Sequence, residues 1–563
     1  MEARKLVSGR LGAQLLRCGK QQGRPKFTAT TAPPAHLVYD QLPDKATLLL
    51  VAQSAASSNY KDQVFWQNCS SQARRLCQDD LHALACYAAT AASAQHQDDE
   101  LLYNVGDMAV AAAENNMLEP GSLALVLQSH AILAFRNDRV VGRMESELFE
   151  MLRQSKATAA CLATSLLSLS QLFSASALPD RSERCERSEL IDGGARVALE
   201  HLSFFTVAQL CNLLQAMANF RIRGDRQVSA LLLGISNSLA RQTSELSSKD
   251  CGTIAKTFAV CRVHDERILT ALASRLREKD VRTLLTAEEL SSVLYGFAKF
   301  TSQDIALLDL LSIEVRRHLH ALDATLMSSM LASLAKAGVS CPVLTGRATQ
   351  ILRRTLPGNE SAVSHRVSHP CNLQLATFSE LSALTMAFAK FQVRDSRLHE
   401  RLAQAFLECN DSIQPIKALE VQSCPELINV VHAFAKVHIA PVKLFGAVMG
   451  LLLSRPPEEL STRDAVKFLH ALAKVEYTIL PQMKGHILAA LSPHRLNELG
   501  VFELLKLAVA ARKLGLDLPQ LEAQVSAILP NEPSLQSQSG NPQRRPVSKR
   551  RRRKSARKQK WSW

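Results

Sequence analysis

Residues 286–300 read TAEELSSVLYGFAKF, and this stretch decides the fold. Thr286 is followed three residues later by Glu289, the spacing of a capping box. In that device the hydroxyl accepts a hydrogen bond from an amide of the first helical turn, and the carboxylate accepts one from the amide of the cap residue. Leu290, Val293, Leu294, Phe297 and Phe300 then fall at helical spacing and mark one apolar stripe. The stretch therefore predicts a capped helix with one buried face.

The same reading recurs along the chain. YGFAKF at 295–300 is echoed by MAFAKF at 386–391, HAFAKV at 432–437, HALAKV at 470–475 and ASLAKAG at 332–338, with QAMANF and KTFAVC as weaker copies ending at Phe220 and Cys261. The central alanines are Ala218, Ala259, Ala298, Ala335, Ala389, Ala435 and Ala473, at steps of 41, 39, 37, 54, 46 and 38 residues. Nine residues before them stand Gln209, Asp250, Glu289, Leu326, Glu380, Glu426 and Asp464, and three residues earlier Thr206, Ser247, Thr286, Asp323, Thr377, Ser423 and Ser461. Six of the seven match or approximate the box. The long step contains the polar, proline-bearing stretch 357–370, read as a loop insertion near 357–376.

A second amphipathic segment follows each first one, as at 267–277, 305–319, 397–407 and 442–453. One helix pair of this size cannot bury its apolar face alone, so pairs must stack on their neighbours. The expectation is an all-α chain: an α-solenoid of helix-pair repeats of about 37–46 residues. Segments 77–91 and 122–133 in front and 501–514 behind are candidate capping helices. The implied organisation is a basic segment 1–40, divergent helical repeats 41–200, the main solenoid 201–531 and a basic tail 532–563.

Charge is concentrated at the two ends. The whole chain carries +15, but residues 544–563 hold eleven basic residues and no acid, and residues 1–39 add +6, leaving about −2 for the body. A basic groove in the body must therefore come from local segregation of charge. The first segment alternates Arg4, Lys5, Arg10, Arg17, Lys20, Arg24 and Lys26 with apolar residues and has no acid between Glu2 and Asp40, the pattern of a mitochondrial transit peptide. Thirteen dispersed cysteines without a CxxC pair read as reduced core thiols. No apolar run approaches the ~18 residues of a membrane span. No phosphate-cradling glycine loop, GxSxG or HExxH is present, so neither an enzyme nor a cofactor or metal is expected.

With its AFAK-type core, capped start and step near 38 residues, the chain resembles the octotricopeptide and heptatricopeptide repeat proteins of organelles, which often carry a RAP domain and share a helical pattern with the FAST-kinase-like mitochondrial proteins. The likeness covers roughly residues 200–515 and extends loosely over 75–200. It implies organellar RNA binding, in processing or stabilising transcripts or as part of a mitochondrial ribosome. The chain departs from the family in lacking a proline-and-tryptophan signature within the repeats and a RAP domain before the tail.

Candidate contacts with RNA follow the repeat. Lys299, Lys336, Lys390, Lys436 and Lys474 stand directly after the central alanine, with Arg512 as a continuation. Stacked helices lie about 8–10 Å apart, so these lysines would form a ladder along a phosphate backbone. Five such contacts imply a salt slope of roughly −3.5 on a single strand. A lysine in the last helical turn also complements the helix dipole with no ligand at all. Three residues before the alanine the identity varies, and Tyr295, His432 and His470 there could stack on bases. The tail adds Arg550, Arg551, Arg552 and Arg553, flanked by Trp561 and Trp563, a composition suited to RNA and also to a nuclear localisation signal. The reading is a mitochondrial matrix protein that binds mitochondrial transcripts or ribosomal RNA, with ribosomal proteins as further partners. Its rivals are a protein-binding scaffold and a nuclear armadillo-like adaptor.

Overall fold

A computed structural model describes residues 44–174, 181–220, 226–300, 304–354, 373, 376–409 and 418–528. The described chain is all-α. Twenty-four of its helices form twelve consecutive pairs: α1 Lys45–Ser57 and α2 Gln63–Leu76, α3 Leu81–Ser93 and α4 Asp99–Glu114, α5 Pro120–Ile132 and α6 Asp138–Arg153, α7 Ala159–Ser174 and α8 Arg181–Glu200, α9 Val207–Asn219 and α10 Arg226–Arg241, α11 Ser248–Cys261 and α12 Glu266–Arg277. There follow α13 Ala287–Lys299 and α14 Ile305–His318, α15 Ala324–Lys336 and α16 Pro342–Arg354, α17 Phe378–Lys390 and α18 Ser396–Glu408, α19 Cys424–Lys436 and α20 Val442–Leu453, α21 Thr462–Lys474 and α22 Pro481–Ala490, α23 Val501–Leu514 and α24 Pro519–Ile528. Odd-numbered helices are thus the first members of the pairs. Helices of four or five residues sit at 279–283, 418–421 and 493–496.

The starts of the odd helices follow local chemistry. At α13 the Glu289 carboxylate accepts from the Thr286 amide at 3.0 Å, and the Thr286 hydroxyl accepts from the Glu289 amide at 3.3 Å. The reciprocal box also closes at Thr206/Gln209, Ser247/Asp250 and Thr377/Glu380. Asp323 caps α15 from its own carboxylate, as the missing acid at Leu326 requires. Upstream the box gives way to a lone aspartate at Asp44 and Asp80. Even helices use the same device at Asp62, Asp98, Asp265, Asp304 and Asp395, and Asn137 does the equivalent for α6.

The ends are as regular. Beyond α15 and α23 the chain turns through Gly338 and Gly515 in the left-handed region. After α17, α19 and α21 the same place is filled by Gln392, His438 and Glu476, with φ of 57°, 62° and 54°. In each of the four turns after α15, α17, α21 and α23, the next amide reaches back to a helix carbonyl: Val339 to Leu334 at 3.2 Å, Val393 to Phe388 at 3.0 Å, Tyr477 to Leu472 at 3.0 Å and Leu516 to Ala511 at 2.9 Å. That 6→1 bond stops the helix one residue past the lysine and consumes an orphan carbonyl.

The chain divides into two compact units, one of residues 1–422 with 436–445 and the other of 423–435 with 446–563. In the first unit each odd helix from α1 to α17 packs on the next odd helix, and the even helices from α4 to α18 form a second layer in the same order. The core lies between the layers. On α13 it takes Leu290, Val293, Leu294, Phe297 and Ala298, each at most 2% exposed and the large ones worth roughly 2 kcal/mol apiece in burial. Phe300, expected in that stripe, is instead the half-buried C-cap, its ring edge-on to His264 at 5.2 Å. The odd layer is the tightly apposed one. A Cβ placed on Gly296 would lie 2.6 Å from the Ala255 carbonyl oxygen, so only glycine lets α13 approach α11 this closely. In the second unit α21 packs on α23, and α23 on α24.

Candidate nucleic-acid interface

Counted from the cap residue, positions 2, 6, 9 and 13 of an odd helix fall on one line, because 3.6 residues make a turn. From α13 to α23 every residue at these positions is exposed or half-buried; on α13 to α21 the residues between them from the second turn onward are buried, apart from the half-buried Ser382, while on α23 Leu505 and Ala508 are half-buried and Arg512 is exposed. The line reads Glu288, Ser292, Tyr295, Lys299 on α13; Thr325, Ser329, Ala332, Lys336 on α15; Ser379, Ala383, Met386, Lys390 on α17; Pro425, Asn429, His432, Lys436 on α19; Arg463, Lys467, His470, Lys474 on α21; Phe502, Lys506, Val509, Lys513 on α23. Glu288 is the sole acid among them. Acids at the start of these helices, such as Glu289, Glu380 and Glu503, are engaged by cap amides at the end away from the lysines.

The candidate lysines are each the last residue of their helix. Lys336 and Lys390 are exposed, while Lys299, Lys436 and Lys474 are half-buried. Partial burial, then the neighbouring ammonium groups of Lys299 and Lys390, hold Lys336 below the ordinary lysine value. Within the first unit, then, these three side chains sense one another. Among the described residues no carboxylate forms an ion pair with Lys299, Lys336 or Lys390. Tyr295 is 38% exposed on the same line as Lys299, one turn toward the start of the helix.

In the second unit His470 is held below its ordinary value by burial and then by Lys506, Lys474 and Lys513. It therefore sits among three cations from two adjacent helices. His432 occupies the equivalent position of α19 and is half-buried. Arg550, Arg551, Arg552 and Arg553, the basic segment 1–40 and the insertion at 357–370 lie outside the described residues.

The register corrects one position. Gly500 takes the cap position of α23 and donates its amide to Glu503 at 3.1 Å, so the thirteenth residue is Lys513 and not Arg512. Sequence reading also passed over Lys467, Lys506 and Phe502. Lys467 and Lys506 stand six residues after Ser461 and Gly500, a signal available once the glycine is recognised as a cap. Among the described residues no group of three or more His, Cys, Asp or Glu side chains could hold a metal ion, and no helix is long and apolar enough to cross a membrane.

No curated protein matches the chain at a significant level. Residues 170–355 match the model of a family described as RNA-editing substrate-binding complex 6 protein (RESC6). The matched span runs from the end of α7 past α16 and includes Lys299 and Lys336. Over that third of its length the chain is similar to an RNA-associated family, and the match is not to octotricopeptide, heptatricopeptide or RAP sequences.

Proposed function

We propose that this chain is a non-enzymatic RNA-binding helical-repeat protein of mitochondria, acting in an RNA-processing assembly, with single-stranded RNA bound at the lysine-bearing ends of α13, α15 and α17 in the first unit and of α19, α21 and α23 in the second. One observation carries the reading. Every odd helix presents the same partial negative charge at its C-terminus, so dipole compensation alone would favour lysine in all twelve. Yet the last turns of α1, α3, α7, α9 and α11 contain no basic residue, and α5 has only His130. From α13 onward all six carry lysine at the same position. A restricted run of cations with almost no acid on its line is what a polyanion requires. The similarity of residues 170–355 to the RNA-editing family supports the same class of ligand. Attachment to a mitochondrial ribosome would use the same surface, with ribosomal RNA in place of a transcript.

The test is the affinity of the full chain for an unstructured RNA by fluorescence anisotropy across a salt series. Six lysine contacts give a slope of about −4, and each Lys→Glu change among Lys299, Lys336, Lys390, Lys436, Lys474 and Lys513 should reduce its magnitude by about 0.7. Absence of RNA binding, or a slope unchanged in a sixfold variant that keeps its helical content, would overturn the reading. The organellar setting is tested separately: residues 1–40 fused to a reporter are expected to carry it into mitochondria, and a cytosolic or nuclear reporter would remove that part.

A further inference from the structure

Two lysines of the second unit lie where the helix dipole gives no account of them. Lys467 and Lys506 are both six residues past the cap, in mid-helix, and both are half-buried. Lys467 donates to the Asn429 side-chain carbonyl, and no carboxylate forms an ion pair with either lysine among the described residues. The carboxylates one turn away are held by cap groups. Asp464, one turn from Lys467, accepts from the Ser461 hydroxyl at 2.5 Å, and Glu503, one turn from Lys506, accepts from the Gly500 amide and faces Arg463 at 3.5 Å. Lys474 and Lys513 add two more cations on the same two helices, and His470 feels the charge of both as well as that of Lys506. Asp464 offsets part of the burial cost of Lys467 from one turn away, and an anion laid directly against the half-buried ammonium groups would offset the rest.

The same surface offers a ring. Phe502 is 54% exposed at the head of the α23 line, and the Lys506 ammonium lies 4.3 Å from its centroid. Phe502, Lys506, Val509 and Lys513 thus alternate apolar and cationic groups over twelve residues, about 16 Å of helix. Aromatic faces interleaved with cations suit a single strand, whose bases stack while its phosphates pair. An acidic peptide would use the cations and leave the ring without a role.

Resting on the RNA reading above, we propose that α21 and α23 form the strand's anchoring site, in which Phe502 stacks on a base and Lys467, Lys474, Lys506 and Lys513 bind the flanking phosphates. The site takes single-stranded RNA of any sequence, since every base offers a face.

The experiment uses the full chain with Phe502→Trp in a background of Trp561→Phe and Trp563→Phe, so that the buried Trp66 is the only other indole. Oligouridylate is the probe. Indole fluorescence at position 502 should be quenched on binding, and Phe502→Leu and Phe502→Ala should each weaken binding roughly 5- to 100-fold at unchanged helical content. If wild type binds the oligonucleotide and the Lys336→Glu, Lys390→Glu variant weakens it while Phe502→Leu and Lys506→Glu do not, the anchor is overturned and the RNA reading stands. If polyglutamate of equal charge quenches the indole as well as RNA does, the surface belongs to an acidic polypeptide and the proposal fails. No binding of RNA by any form would retire both readings.

Discussion

Replacing Gly296 by alanine tests whether the tight odd layer sets the stack. The new Cβ would lie 2.6 Å from the oxygen, 2.8 Å from the carbon and 2.8 Å from the Cβ of Ala255. Two of those atoms are backbone and cannot rotate away, so α13 must retreat from α11 by roughly 0.8 Å to restore ordinary contact at about 3.4 Å. Alanine gains about 1 kcal/mol of helix propensity over glycine. Overpacking costs about 1–3 kcal/mol, more when backbone is struck. The clash wins, and Gly296→Ala is expected to destabilise the α11–α13 region by about 1–3 kcal/mol. Gly252 provides the internal control. Its Cβ would meet Glu289 no closer than 3.2 Å, a misfit of a few tenths of an ångström, so the propensity gain should nearly cancel the cost. A stack of nearest-neighbour contacts need not unfold in one step, so the assay is native-state hydrogen exchange resolved over α9 to α15. Equal protection in Gly296→Ala and wild type, or equal losses at the two glycines, would refute the argument.

Glu314 is 3% exposed and pairs with Arg282 at 3.2 Å and Arg317 at 2.6 Å. Glu314→Ala should cost about 3 kcal/mol, the low end for a broken buried pair because Arg282 keeps its 2.8 Å bond to the Arg277 carbonyl, whereas Arg282→Met with Glu314→Leu should be near neutral; urea unfolding of the three proteins decides, and equal losses in the single and double variants would sink the idea. His130 and His399 are 1% and 0% exposed, and burial holds both below the ordinary 6.5. The unfolded chain takes up their protons first as pH falls below 6.5, so stability present at neutral pH is lost progressively under acid. His399→Asn should flatten the loss of thermal stability between pH 6.5 and 5, and an unaltered slope would show that this histidine does not drive it.

Much of this fold was legible because the repeat writes its own boundaries. Thr286 with Glu289, and Thr377 with Glu380, announce helix starts that the structure reproduces to the residue. The alanine–lysine ending located the exposed line for the same reason. Recognition weakened where chemistry substituted for identity: Asp44 and Asp80 cap with one carboxylate and leave no box, and Gly500 caps with no side chain, which displaced the last rung from Lys513 to Arg512. The buried stripe was readable from period alone, but the importance of Gly296 was not, since it depends on how closely α11 comes to rest. The place of Lys467 could be counted from its cap at Ser461, but its contact with Asn429 could not, and Phe502 escaped because its contact with Lys506 is made on the helix surface of a repeat whose cap is a glycine.

The join between α16 and α17 is where the longest step of the repeat falls, yet α15 and α17 pack on each other as directly as their neighbours do. Chain length there is thus uncoupled from the spacing of the odd helices. The direct packing of α15 on α17, and not the length of chain that joins their pairs, keeps the separation of Lys336 and Lys390. The surface that these odd helices present is therefore set by contacts between helices and not by the sequence that connects them.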